Sequence, residues 1–149
     1  MKDFKTSKDN KKKLIISLGD PAGIGTEITL KALGSNCLNK NIQPLLVGCK
    51  NNIYQTYTKL NKNGINNIPD PNILDIIDIP LEKKVIPGIV NEFTGSASFK
   101  WLLNATNMIL EKKADALVTA PISKIAWHKA GHKFAGQTEL LGKLTNKKT

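Results

Sequence analysis

Short β-branched apolar runs alternate along the chain with segments in which apolar residues recur at helical spacing. The strand-like runs cover residues 14–18, 43–49, 73–79 and 116–120. The helical patterns cover residues 27–33, 53–60, 97–109 and 122–129, and a short helix begins at residue 137. Strands that alternate with helices predict an α/β domain with a mostly parallel sheet.

A glycine-rich segment, G-D-P-A-G-I-G-T-E (residues 19–27), follows the first strand directly. Glycine permits positive φ and lets a ligand approach the backbone, and the N–H groups of the helix that follows favour an anion. An ordinary turn that needs glycine only to bend explains the same residues. The spacing matches neither G-x-G-x-x-G nor G-x-x-x-x-G-K-[ST], so the segment does not indicate a nucleotide site.

A second polar segment, T-A-P-I-S-K (residues 119–124), follows the strand at 116–120. We expect Pro121 at the first helical position and Lys124 in the first turn, where the helix dipole disfavours a cation. An anionic ligand, or Asp20 across the sheet edge, would explain such a lysine, and an ordinary surface lysine is the alternative. Both this segment and residues 19–25 follow strands, and parallel sheets bind ligands beyond their carboxyl ends.

A third segment, A-G-H-K-F-A-G-Q-T-E (residues 130–139), predicts a loop that turns into a helix. The hydroxyl of Thr138 could cap this helix or bind a ligand. His128 and His132 invite a metal interpretation, but Gly131 is expected to end the helix between them, and H-E-x-x-H is absent. We therefore interpret both histidines as exposed residues.

Composition favours a globular, cytoplasmic protein. The chain has 149 residues, of which 40% are hydrophobic, enough for one domain with a core. No apolar run approaches the roughly 20 residues of a membrane span. Residues 1–12 are polar and lysine-rich, without the apolar segment of a secretory signal, and are expected to form a solvated tail. Two cysteines suggest no disulfide framework and a reducing compartment.

The net charge of +10 raises the possibility of nucleic-acid binding. All 22 basic residues are lysines, however, and most are scattered along the chain. Arginine is the residue suited to bidentate phosphate and guanine contacts, whereas lysine is a looser point charge. We therefore expect no nucleic-acid partner, although a basic surface would attract phosphorylated substrates.

Taken together, the three segments, in their order and spacing, resemble the 4-hydroxythreonine-4-phosphate dehydrogenases of vitamin B6 biosynthesis. The resemblance covers about residues 13–145. It implies an isocitrate-dehydrogenase-like α/β/α sandwich and a homodimer. Because chains of that family are much longer, residues 13–149 are expected to be the N-terminal α/β portion of a truncated dehydrogenase.

The resemblance also implies a reaction. NAD or NADP would oxidise the secondary alcohol of a small phosphorylated hydroxy-amino acid, 4-phosphooxy-L-threonine. The resulting β-keto acid would decarboxylate to 3-amino-2-oxopropyl phosphate, a step in pyridoxal phosphate biosynthesis. A divalent metal held by histidines would stabilise the developing alkoxide. Its ligands are expected beyond residue 149, so this chain alone is expected to hold no catalytic metal and not to turn over.

Five positions correspond to positions in the family's motifs, and a sixth, Asp20, lies in the glycine-rich turn. Gln137 and Thr138 correspond to the substrate-contacting His-Thr pair of G-H-T-E. Lys124 matches the lysine of T-A-P-x-x-K and is a candidate for contacting substrate anions. Three residues of the first turn, Asp20, Gly23 and Gly25, are expected to shape the cleft. No catalytic residue is assigned.

Two substitutions depart from the family pattern. Gln137 replaces the usual histidine, and its amide forms hydrogen bonds but does not change charge near neutral pH. Thr26 replaces the usual proline after G-I-G, where its hydroxyl could cap the helix. Two alternatives stay open: a paralogous dehydrogenase for another phosphorylated hydroxy-acid, and a non-catalytic domain that binds phosphorylated ligands.

Overall fold

Four parallel strands form the sheet in the computed structural model, which describes residues 11–35 and 38–146. The strands are β1 (Lys12–Ser17), β2 (Ile42–Gly48), β3 (Asp75–Asp78) and β4 (Ala116–Thr119). The helices are α1 (Gly25–Gly34), α2 (Lys50–Lys62), α3 (Glu92–Leu110), α4 (Lys124–Lys129) and α5 (Gln137–Thr145). The predicted α/β class with a parallel sheet is confirmed.

The strand order β3-β2-β1-β4 places β1 between β2, the next strand in the chain, and β4, which comes after β3. The chain runs outward from β1 to β3 and then returns past β1 to form β4. Right-handed crossovers therefore place α1 and α2 on one face of the sheet and α3 on the other, which gives an α/β/α sandwich. The direction in which successive strands are added to the sheet reverses between β1 and β4, although the two strands are parallel. Open parallel sheets bind ligands at the carboxyl ends of such a pair of strands.

The strands β1 and β3 each begin two residues away from the position that the sequence predicts. β1 begins at Lys12, because Lys12 pairs with Ile42 of β2, so this residue belongs to the sheet rather than to the tail. The rest of the predicted tail, residues 1–10, lies outside the described residues. β3 begins at Asp75 rather than at residue 73, because a 3-10 helix, Pro71–Ile73, occupies the preceding positions.

α4 also begins later than predicted. Lys124 is its first residue, and Pro121 lies outside the helix. The reason is the side chain of Ser123, which caps the helix by accepting a hydrogen bond of 3.2 Å from the Ala126 amide. The predicted end of this helix is confirmed, because Gly131 follows it with a φ of +82°.

Two groups of buried apolar side chains hold the layers together. The larger one surrounds the sheet and includes Ile15, Leu30, Leu46 and Trp101. The smaller one joins α3, α4 and α5 through Leu102, Trp127 and Leu140. This second group anchors the two helices that carry the candidate site residues. No helix within the described ranges has the length and apolar character needed to cross a membrane.

Candidate functional site

The glycine-rich turn packs against the segment that follows β4. Gly19 has a φ of +71°, and a Cβ there would lie 2.2 Å from the Pro121 carbonyl oxygen. A Cβ on Gly25 would lie 2.1 Å from the Leu18 carbonyl oxygen, whereas one on Gly23 would approach Asp20 no closer than 3.3 Å. The space beside Gly19 and Gly25 is thus filled by the protein's own backbone, as in an ordinary tight turn.

Asp20 is buried within this turn, with 5% of its surface exposed. Its Oδ1 accepts a hydrogen bond of 2.9 Å from the Ala22 amide, and its carboxyl group also accepts one from the Thr94 hydroxyl. Burial raises the pKa of Asp20, and these two hydrogen bonds oppose the rise. The sequence-based pairing of Asp20 with Lys124 is wrong, because the carboxyl group faces Ala22 and Thr94 instead.

Gln137 is fastened to the end of β4 by both polar atoms of its amide. The Thr119 hydroxyl donates a hydrogen bond of 2.8 Å to Oε1 of Gln137. Nε2 of Gln137 donates one of 2.8 Å to the Ala120 carbonyl oxygen. Since the side chain is half-buried, these two contacts fix where the first residue of α5 lies relative to the sheet.

Lys124 lies beside the residue before Gln137, and Thr138 follows Gln137 in α5. A Cβ on Gly136, the residue before Gln137, would lie 3.4 Å from Cε and 3.9 Å from Nζ of Lys124. Both Lys124 and Thr138 are exposed, and within the described ranges neither side chain has a hydrogen-bond or ion-pair partner. The structure therefore brings the three sequence-predicted contact residues to one place, where the start of α4 meets the start of α5.

Thr138 does not cap α5. It is the second residue of that helix, and Gly136 occupies the cap position without a side chain. The loop is closed instead by Glu139, whose Oε2 accepts a hydrogen bond of 2.6 Å from the Ala135 amide. The capping interpretation of Thr138 is thus wrong, and its hydroxyl is left for another partner.

Thr26 does not cap its helix either. Its hydroxyl donates a hydrogen bond of 3.1 Å to Oδ1 of Asn52, which joins α1 to α2. Ile24 occupies the cap position of α1 without a side-chain hydrogen bond.

A comparison with protein families shows which family this chain belongs to. A family model described as "Pyridoxal phosphate biosynthetic protein PdxA" matches residues 34–149, most of the chain. The chain belongs to the PdxA family.

Individual PdxA-like relatives support this assignment. A 4-hydroxythreonine-4-phosphate dehydrogenase from Synechococcus sp. (strain RCC307) is 47% identical over 132 residues, which cover 89% of this chain and 39% of the relative. A D-threonate 4-phosphate dehydrogenase from Pectobacterium atrosepticum is 35% identical over 144 residues, covering 89% of this chain and 44% of that one.

The fold of this chain is also similar to that of a solved dehydrogenase structure. The crystal structure of a 4-hydroxythreonine-4-phosphate dehydrogenase from Burkholderia phymatum matches with a TM-score of 0.82 at 25% identity. The match covers 93% of this chain and 45% of that one. The chain thus spans about two fifths of the length of the PdxA relatives it matches.

The histidines of this PdxA chain do not form a metal site. His128 is exposed, and its Nε2 lies 3.1 Å from the Phe134 carbonyl oxygen. His132 stacks on Phe99 with ring centroids 3.6 Å apart, and burial lowers its pKa. The prediction of an exposed residue holds for His128 and is wrong for His132, which is half-buried.

The described part of this PdxA chain contains no cluster of metal-ligating side chains, and its glycine-rich turn has no space for a pyrophosphate beside Gly19 or Gly25. No three His, Cys, Asp or Glu side chains in residues 11–35 and 38–146 lie close enough together to hold a metal ion. The backbone of residues 18 and 121 occupies the space beside Gly25 and Gly19, where a bound pyrophosphate would approach the main chain. We therefore derive no step through either group.

Sequence reasoning missed three residues that hold the candidate site in shape, namely Glu139, Thr119 and Thr94. Glu139 lies at the third position of α5, where an acidic residue that turns back to the preceding loop is a recognisable signal. Thr119 carried a weaker signal, its place at the carboxyl end of a predicted strand. Thr94 carried none, because its contact with Asp20 depends on how α3 packs against the first turn.

Proposed function

We propose that this chain is the substrate-binding N-terminal part of a dehydrogenase that oxidises 4-phosphooxy-L-threonine. NAD or NADP would accept the hydride, and the β-keto acid formed would decarboxylate to 3-amino-2-oxopropyl phosphate in pyridoxal phosphate biosynthesis. The observation that supports this proposal best is the convergence of Lys124, Gln137 and Thr138 in a chain of the PdxA family.

The three side chains offer what a phosphorylated hydroxy-amino acid needs. Lys124 supplies an exposed positive charge for a phosphate or carboxylate group. Thr138 supplies a hydroxyl that is exposed at the start of α5. Gln137 supplies a neutral amide held in a fixed direction by β4. Asp20, Gly23 and Gly25 shape the adjoining turn rather than taking part in the chemistry.

The redox chemistry would belong to a metal and a dinucleotide, and residues 11–35 and 38–146 contain no cluster of ligands for the metal. A divalent metal, when bound, would stabilise the alkoxide that forms as the hydride leaves. We propose that its ligands and most cofactor contacts come from the part of the relatives' length that this chain does not span. The same proposal includes a homodimeric enzyme in the cytoplasm, and a 149-residue chain that binds substrate without turning it over.

Calorimetric titration of the 149-residue chain with 4-phosphooxy-L-threonine tests the proposal. We expect saturable binding, with much weaker binding of inorganic phosphate and of L-threonine, and no NADH fluorescence when metal and NAD are added. The absence of binding would contradict the proposed function. NADH production by this chain would contradict the proposed inactivity of the fragment.

A second candidate substrate is D-threonate 4-phosphate, which the Pectobacterium atrosepticum relative is named for. Gln137 favours it, because this chain departs there from the histidine expected for the first substrate. Competition between the two compounds distinguishes the candidates. Equal affinity for both, and for other small phosphate esters, would instead favour a non-catalytic domain that binds phosphorylated ligands.

A further inference from the structure

The direction of the Gln137 amide is determined by its neighbours. A backbone carbonyl oxygen accepts hydrogen bonds and does not donate them, so the amide atom facing Ala120 must be the NH₂ group. The carbonyl oxygen Oε1 must then face Thr119, whose hydroxyl has to donate its proton. The Ala120 carbonyl oxygen excludes the flipped amide, and the Thr119 hydroxyl supplies the second contact, which holds Oε1 in place.

This arrangement leaves half of the amide's hydrogen-bonding capacity for another molecule. A glutamine amide has two N–H donors and two acceptor lone pairs. One N–H is used by Ala120 and one lone pair by Thr119. One donor and one acceptor remain on this half-buried side chain, and the residue before it, Gly136, lies beside Lys124.

A hydroxyl group both donates and accepts, so it matches either remaining position, whereas a ketone oxygen matches only the donor. We infer that Thr119 is a positioning residue that orients Gln137 to select the hydroxyl of a phosphorylated hydroxy-acid. This inference deepens the proposed function and rests on it. Loss of the Thr119 hydroxyl leaves Oε1 without its donor and lets the amide rotate, which removes the selection.

The test compares two ligands that differ in one hydroxyl, 4-phosphooxy-L-threonine and O-phospho-L-homoserine. We expect the wild-type chain to prefer the hydroxylated ligand about fivefold, in line with one well-placed neutral hydrogen bond. Thr119→Val, which keeps the shape and removes the donor, should bring this ratio close to one. Thr119→Ser should restore it, and Thr58→Val, at an exposed position on α2, should leave it unchanged.

The ratio of affinities is the informative quantity, because a general loss of structure would weaken both ligands together. An unchanged ratio in Thr119→Val would overturn the inference. Should that variant not fold, Thr119→Ala removes the same donor and serves in its place.

A ligand-free measurement separates this inference from the proposed function. The side-chain amide protons of Gln137 should exchange with water more slowly in the wild type and Thr119→Ser than in Thr119→Val, as followed by ¹⁵N NMR. If neither ligand binds the wild-type chain, the proposed function fails, whereas slow exchange still supports the positioning role. Equal exchange in all three proteins would overturn that role, whatever the ligands do.

Discussion

The indole Nε1 of Trp127 donates a hydrogen bond of 2.9 Å to the hydroxyl of Ser98, and both side chains are completely buried. The same hydroxyl donates a bond of 3.0 Å to the Gly95 carbonyl oxygen. This contact joins α4 to α3, so it supports the short helix whose first residue is Lys124.

Ser98→Ala should destabilise the fold by about 1–3 kcal/mol, because it leaves a buried indole N–H without an acceptor. Urea denaturation measures the change. Ser96→Ala is the matched control on the same helix, since Ser96 is exposed and its replacement should alter the free energy of unfolding little. Equal effects of the two substitutions would contradict a specific role for the Trp127 contact.

Gly25→Ala should destabilise the protein by about 1–3 kcal/mol, because the added Cβ would collide with the Leu18 carbonyl oxygen. Gly23→Ala adds the same methyl group two residues earlier, where the nearest atom is 3.3 Å away, and should cost less. Thermal unfolding of both variants checks the order. A larger loss in Gly23→Ala would show that the turn does not pack as described.

The raised pKa of Asp20 predicts how stability depends on pH. The folded state holds this proton more tightly than the unfolded state does, because burial disfavours the charged carboxylate. The resulting stabilisation is fully present below the ordinary value of 3.8 and is lost as the pH rises through the raised pKa. The free energy of unfolding of the wild type minus that of Asp20→Asn should therefore fall over this range and then level off.

Asp115 provides a control, because its pKa is shifted in the opposite direction to that of Asp20. Its hydrogen bonds from the Lys12 side chain and the Lys13 amide lower its pKa. The stabilisation that Asp115 contributes is present above 3.8 and is lost as the pH falls through the lowered value. Urea denaturation between about pH 2 and 8 should give difference curves for Asp20→Asn and Asp115→Asn that run in opposite directions.

Gln137→His should make ligand binding depend on pH near neutrality. The wild-type amide does not titrate, whereas a histidine gains positive charge below about pH 6.5 and attracts an anionic ligand. The affinity of this variant for 4-phosphooxy-L-threonine, divided by that of the wild type, should rise several-fold from pH 8 to pH 5.5. Dividing the two affinities removes the effects of ligand and His132 titration, which are the same for both proteins. A ratio that does not change with pH would place residue 137 outside the binding site.

Lys124→Gln should weaken binding of the phosphorylated ligand about tenfold, since a hydrogen bond to a charged group is lost. The salt dependence of the affinity should also decrease, because one positive charge no longer takes part. Lys133→Gln changes the net charge equally at an exposed position of the neighbouring loop. Similar losses in both variants would show that the net charge, and not Lys124 itself, attracts the ligand.

The sequence predicts the order of strands and helices well, because their signals are local. Apolar alternation and helical spacing identify β1 and α3 without knowledge of their neighbours. The predicted ends of elements are wrong where a nearby polar side chain forms a hydrogen bond with the backbone. Ser123 caps α4 and excludes Pro121 from its first turn, and Asp70 accepts a hydrogen bond from Asn72 at the start of a 3-10 helix.

The candidate site is less predictable, since its contacts join residues far apart in the chain. Motif spacing identifies Lys124, Gln137 and Thr138, and chain topology brings them together. The same spacing does not reveal that Gln137 is held by Thr119, 18 positions earlier. Choices among polar partners depend on packing at the few-ångström level, which no local pattern encodes.

The position of β1 has a consequence for synthesis on the ribosome. Its first neighbour, β2, is synthesised soon after it, whereas its other edge pairs only once β4 has been made. The Lys13 amide, for example, donates a hydrogen bond to Asp115, 102 positions later in the chain. Throughout that interval the nascent chain carries a central strand with one open edge, the kind of surface that chaperones cover. The rate at which translation reaches β4 therefore sets how long this protein is exposed to misassembly.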